Sequence, residues 1–302
     1  MDCNLIIGGL RFTIKGAPWS GRTVPANFRP FLADASAGAG LPAVCLSVVT
    51  SSSHPALPQS EPISVSVNDL GRAALYRSGN FWYVAVTPCP GQYPRIMVIS
   101  PSLAEATLTL DPADPFAAFT IDSMTRILFS QFAASTGALM LHASAVVYGR
   151  RAYLFMGKSG TGKSTHSRLW LQSFAGCRLL NDDCPLAIPD PDAPGRFLIS
   201  GTPWSGKTPC WKNLSFPLGG IARLSQAAAN SFSPLAGIEA FIAFIPGMSV
   251  MTSDRALYSL ASSTALTLLG TVTTGILRCL PDADAARLCR DSLVNSSDNI
   301  LT

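Results

Sequence analysis

One run of residues limits this chain to a small set of architectures: Gly157-Lys158-Ser159-Gly160-Thr161-Gly162-Lys163-Ser164, followed by Thr165. It fits the phosphate-loop pattern of a glycine, four residues, then Gly-Lys-Ser/Thr. Residues 151–156, Arg-Ala-Tyr-Leu-Phe-Met, precede it as an apolar run of strand length, and Leu169, Trp170 and Phe174 follow at helical spacing. Strand, glycine turn and helix is the order that phosphate binding requires. Glycines let the backbone turn its N–H groups inward, and the helix start adds unpaired donors and the positive end of its dipole. Residues 157–165 are therefore expected to bind a nucleotide, with Lys163 on the outer phosphates and the Ser164 hydroxyl on a magnesium ion.

Other candidates lie on either side. Residues 177–183 read as a short strand ending in Asp182 and Asp183. Carboxylates at the end of a strand beside a phosphate loop serve as general base or metal ligand. Asp182 is read as the base and Asp183, with Ser164, as the metal ligand, an assignment that can be exchanged. Upstream, residues 138–147 read as one strand containing His142 in an Ala/Ser/Val setting. Downstream, residues 201–207, Gly-Thr-Pro-Trp-Ser-Gly-Lys, form a second glycine loop carrying Lys207. His142 and Lys207 are expected to converge on the transferred phosphate, Lys207 from a loop able to fold over the site.

Taken in order, residues 1–112 break into short Val-, Ile- and aromatic-rich runs at 5–7, 10–14, 43–49, 63–67, 81–86 and 95–99, separated by Pro, Gly and Ser. Such runs predict a β-rich region of half-buried antiparallel strands. His54 falls in one of its turns and reads as a solvated loop residue. Prolines at 112 and 115 predict a linker, and residues 113–302 the nucleotide-binding domain, beginning with an amphipathic helix over 116–136. Residues 256–277 carry no charge over a membrane-spanning length, but eight Ser/Thr and two glycines argue for buried elements and against a membrane span. The acidic, briefly apolar start does not read as a signal peptide. Eight cysteines without a C-x-x-C pair read as reduced thiols in a cytoplasmic protein, with no zinc site. A net charge of +4 without any Lys/Arg run gives no case for nucleic acid as a partner.

The order Leu141-His142-Ala143-Ser144-Ala145-Val146, a turn, residues 154–165, then Leu179-Leu180-Asn181-Asp182-Asp183 resembles the catalytic domain of the HPr kinase/phosphorylase family, whose fold is similar to the ATP-dependent phosphoenolpyruvate carboxykinases. The resemblance covers roughly residues 140–190. It implies an α/β phosphate-loop core that transfers a phosphoryl group from ATP with Mg²⁺ to a hydroxyl, one Asp of the pair acting as base and His142 as helper. Lys158 stands where those kinases commonly carry an acid, and no downstream stretch matching phosphocarrier recognition is found. The resemblance therefore speaks to the nucleotide and leaves the hydroxyl acceptor, whether protein, peptide or metabolite, and any homo-oligomer open. A nucleotide-binding regulatory module without efficient transfer, and an NTP hydrolase or phosphorylase, are the alternative readings.

Overall fold

The structure, a computed structural model, describes residues 2–19, 24–53, 55–68 and 71–294; His54 lies outside them. The chain is mixed α/β and falls into two compact units, Met1–Pro25 with Phe31–Phe132, and Ala26–Pro30 with Ala133–Thr302.

The first unit is built on strands β1 (Cys3–Ile7), β2 (Leu10–Lys15), β3 (Ala43–Thr50), β4 (Ser64–Asn68), β5 (Gly71–Ser78), β6 (Phe81–Thr87), β7 (Arg95–Ile99) and β8 (Glu105–Leu110). They form one sheet in the order β1-β2-β3-β8-β7-β6-β5-β4. It is a mixed sheet: β2–β3 and β3–β8 run parallel, and the other neighbours run antiparallel. Alternation of buried and half-buried residues in β1, β2 and β3 reflects one face turned to the core. Helix α1 (Ala117–Ser135) stacks Phe129 on Phe12 of β2, the ring centroids 5.9 Å apart.

The proline-bearing stretch between β8 and α1 is not a free linker. Arg95 of β7 is fully buried and grips Asp114 with two hydrogen bonds, Nε to Oδ2 at 2.9 Å and Nη2 to Oδ1 at 2.6 Å. Its guanidinium also donates from Nη1 to the Tyr93 carbonyl and lies between the rings of Tyr93 and Phe116. Bidentate geometry and satisfied donors are what make a buried ion pair tolerable. With residues 111–116 tied down in this way, residues 117–132 of α1 belong to the first unit, whereas the prolines alone had suggested a break at 112.

The second unit contains β9 (Leu139–Met140), β10 (Ala143–Tyr148), β11 (Arg151–Met156), α2 (Lys163–Ser173), β12 (Arg178–Asp183), β13 (Leu186–Pro189), β14 (Phe197–Ser200), β15 (Ser215–Gln226), β16 (Ser231–Leu235), α3 (Gly237–Phe244), α4 (Arg255–Leu269), β17 (Thr273–Cys279) and α5 (Ala283–Val294). Its main sheet runs β12-β10-β11-β15-β17-β16, with β11, β15 and β17 mutually parallel. The start of β15 leaves this sheet to pair with β14, which continues through β13 to β9. The strand expected over 138–147 is thus two strands in two different ladders, broken at Leu141 and His142. One apolar layer joins Ala143, Ala145, Leu154 and Met156 to Phe244, Ala261 and Leu268 of α3 and α4. The opposite layer joins Val146, Tyr153 and Phe155 to Trp170 of α2 and Ala286, Cys289 and Leu293 of α5. The uncharged stretch 256–277 supplies most of α4 and the start of β17, and among the described residues no helix is long and apolar enough to cross a membrane.

α2 is anchored by His166, whose ring meets Phe155 edge-on at 4.7 Å and whose Nε2 accepts the Trp170 indole N–H at 3.1 Å. Burial drives its pKa down to about 4, against an ordinary value of about 6.5. Between these values the unfolded chain holds a proton that the folded chain refuses, so stability rises with pH across the window and is lost on acidification. Relative to His166→Gln, which keeps an acceptor for Trp170, the native protein should lose up to about 3 kcal/mol between about pH 6.5 and pH 4. Urea midpoints measured along this series check it; parallel curves for the two proteins would show that His166 does not titrate this way.

Candidate active site

Strand register brings the candidates together. Ala143 of β10 lies opposite Met156 of β11 on one side and Asp183 of β12 on the other. The residues that leave these strand ends, His142 before β10 and Gly157 after β11, therefore flank the same point as Asp183. The His142 backbone is fixed there by its N–H on the Gly247 carbonyl at 2.7 Å.

At that point a chain of close polar contacts crosses three segments. Asp183 Oδ1 lies 3.1 Å from His142 Nδ1, and His142 Nε2 lies 2.8 Å from Lys163 Nζ. An ammonium can only donate, so Nε2 is the acceptor, and the neutral ring carries its hydrogen on Nδ1, the nitrogen beside Asp183. Lys163 also donates to the Gly157 carbonyl at 3.1 Å, reaching from the first turn of α2 back to the beginning of its own loop. Burial pulls the Lys163 pKa below the ordinary lysine value, with Asp183 and then Asp182 opposing the shift.

The loop has the local form its sequence predicts. Gly162, the residue before α2, takes φ 106°, a conformation strained for any residue with a Cβ, and the helix start has no side-chain cap. Thr161 turns the loop internally, its N–H and Oγ1 both donating to the Lys158 carbonyl. Lys158, Ser159, Gly160, Ser164 and Thr165 are exposed. A single-residue step along β12 turns its two acids to opposite faces. Asp182 pairs with Ser144, whose Oγ lies 2.6 Å from that of Ser167 in α2, so Asp182 faces the α2 side. Asp182 is 3% exposed and its Oδ2 has no hydrogen-bond partner. The Asp183 side chain, 20% exposed, turns the other way and also accepts from Cys184 Sγ.

The second glycine loop is carried to the same place. Gly206 donates its N–H to the Asp182 carbonyl at 2.8 Å, and a Cβ there would come within 2.6 Å of that oxygen. Lys207 follows directly and is exposed. Phe28 of the 26–30 segment meets Trp204 edge-on at 6.4 Å. Among the described residues no group of three or more His, Cys, Asp and Glu side chains is arranged as a metal cluster. The chain matches no family model, and no curated protein matches it.

Two further residues help to build the site. Arg223 of β15, level with Met156, donates to the Ala243 carbonyl in the last turn of α3, where its charge suits the helix dipole. Asn181 is the positioning residue. Fully buried, it accepts the N–H groups of Asp183 and Cys184 on Oδ1 and donates from Nδ2 to the Trp204 carbonyl at 3.0 Å, with Thr202 at 3.3 Å. A polar residue inside an apolar strand, just before two acids, was the available signal. Asn181→Ala should lower stability by about 2–3 kcal/mol, because buried groups on both loops lose their partner. Denaturant titration measures this, and an unchanged midpoint would mean that the amide does not join the loops.

Proposed function

We propose that the unit formed by residues 26–30 and 133–302 is an ATP- and Mg²⁺-dependent kinase acting on a hydroxyl group. The observation that supports this best is the Asp183–His142–Lys163 chain at the mouth of a glycine loop. Bound ATP·Mg²⁺ would supply the phosphoryl group and neutralise its charge. For this chain, the inward N–H groups of residues 157–165 hold the phosphates, and Lys163 exchanges the Gly157 carbonyl for a phosphate oxygen. Ser164 and Asp182 are the fitting ion ligands, since the orphaned Asp182 Oδ2 is buried on the α2 side and a buried carboxylate oxygen without a partner calls for a cation.

Asp183 then takes the proton of the acceptor hydroxyl. It is the more accessible acid and is oriented through His142, so the exchanged assignment is the better supported one. Lys207, next to the Gly206–Asp182 contact, is the candidate lid cation. The eight free thiols suit a reducing compartment, and the cytoplasm is the proposed setting.

Lys163→Ala should weaken ATP binding by about 1.5–3 kcal/mol, the worth of a hydrogen bond to a charged group. Calorimetry with ATP and Mg²⁺ reads this directly, and unchanged affinity would remove the phosphate-loop reading.

For the acids, Asp183→Asn should cut transfer of labelled phosphate to an acceptor from cell extract by roughly 10²–10⁴ while ATP affinity stays within a few-fold. Asp182→Asn should instead lose the Mg²⁺ dependence of ATP binding. Tight ATP binding with no labelled product from any extract fraction would turn the reading to a nucleotide-binding regulatory module.

A further inference from the structure

The end of the main sheet away from the phosphate loop gathers a second set of charges. The β10–β11 hairpin turns through Gly149 at φ 56° and Arg150 at φ 66°. Two consecutive positive φ values suit glycine or asparagine, and an arginine there carries a backbone cost. Beside this turn lies a cavity of about 390 Å³ lined by Arg150, Arg151, Ser215, Phe216 and Pro217. A neighbouring cavity of about 230 Å³ shares Arg151 and Pro217 and adds Arg196 and Asp190. Arg178 stands over the Phe216 ring at 6.0 Å.

Three lining guanidiniums thus face one lining carboxylate. Among the described residues none of Arg150, Arg151 and Arg196 is in an ion pair, and Arg196 donates from Nη1 to the Thr271 carbonyl. Like charges gathered in excess of their counter-charges repel one another, and the positive φ of Arg150 is a separate backbone cost at the same turn. Oxyanions relieve the repulsion, because the guanidinium fork matches carboxylate and phosphate oxygens in bidentate geometry. Phe216, Pro217 and, in the second cavity, Phe197 and Leu218 supply apolar walls for a ligand body. The volumes admit a small metabolite.

We infer that this end of the sheet is a binding site for a small polyanion, a metabolite carrying phosphate or carboxylate groups. The site is independent of the phosphate loop. β11 spans the distance from Arg151 to Met156, about 17 Å at the usual strand rise, which is too far for one such ligand to touch both.

The test is calorimetry of the whole chain at low ionic strength with two probes, citrate for carboxylate and pyrophosphate for phosphate. Three variants accompany the native protein: Arg150→Gly, Arg150→Gly with Arg151→Gln, and Lys163→Ala. Glycine accepts the positive φ, so Arg150→Gly should melt no lower than the native protein. At least one probe should bind the native chain saturably, and the tighter probe identifies the oxyanion. At the hairpin site, binding should weaken about tenfold or more in the double variant and measurably in Arg150→Gly; in Lys163→Ala citrate binding should stay unchanged, and the pyrophosphate isotherm should lose only the component that the phosphate loop contributes. The inference is overturned if neither probe saturates, if the arginine variants bind like the native chain, or if binding is lost only in Lys163→Ala.

Discussion

The hydrogen bonds made by Lys163 tie together most of what is distinctive in the second unit. An ammonium donating at once to His142 Nε2 and the Gly157 carbonyl needs those two groups on either side of the first turn of α2. His142 can stand there only because its chain leaves the β9 ladder and enters β10 at that point. The ring stays in one tautomer because Lys163 donates to Nε2, which leaves the hydrogen on Nδ1, 3.1 Å from Asp183 Oδ1. His142, Gly157 and Asp183 each stand at a different strand end, so the arrangement rests on the register Met156–Ala143–Asp183. A slip of one residue would turn Asp183 to the α2 face and Asp182 to the His142 face.

Polar groups this close to the core raise the stakes. Asn181, Thr202 and the Trp204 carbonyl form a buried network in which each donor has an acceptor, and the one orphan beside it is Asp182 Oδ2. Satisfied networks specify a single arrangement, and an unsatisfied oxygen within one marks where a further charge belongs. The contrast between two adjacent acids, one buried and orphaned, the other partly open and oriented by histidine, is a contrast of environment rather than of residue type. Unequal environments are how two like carboxylates come to take different roles.

In the first unit the comparable device is Arg95 with Asp114. The ion pair holds inside the unit a segment that its prolines mark as a break. Prolines forbid continuing a strand or helix; they do not forbid packing.

The features that the sequence by itself determined are local or periodic ones. The phosphate loop is a contiguous pattern whose glycines, lysine and flanking apolar runs act on neighbours in the chain, so its strand, turn and helix were legible at residues 151–174. The alternating runs of the first unit and the helix at 117–135 were legible because side-chain period reflects a buried face. Tertiary structure alone decided the break at Leu141 and His142, since its cause is pairing with β13 on one side and with β11 and β12 on the other. It also decided which face each of Asp182 and Asp183 takes, which depends on a register no local rule states. The gathering of Arg150, Arg151 and Arg196 around Phe216 and Pro217 belongs with these, because guanidiniums up to 46 residues apart in the chain meet only once β14 and β15 have paired.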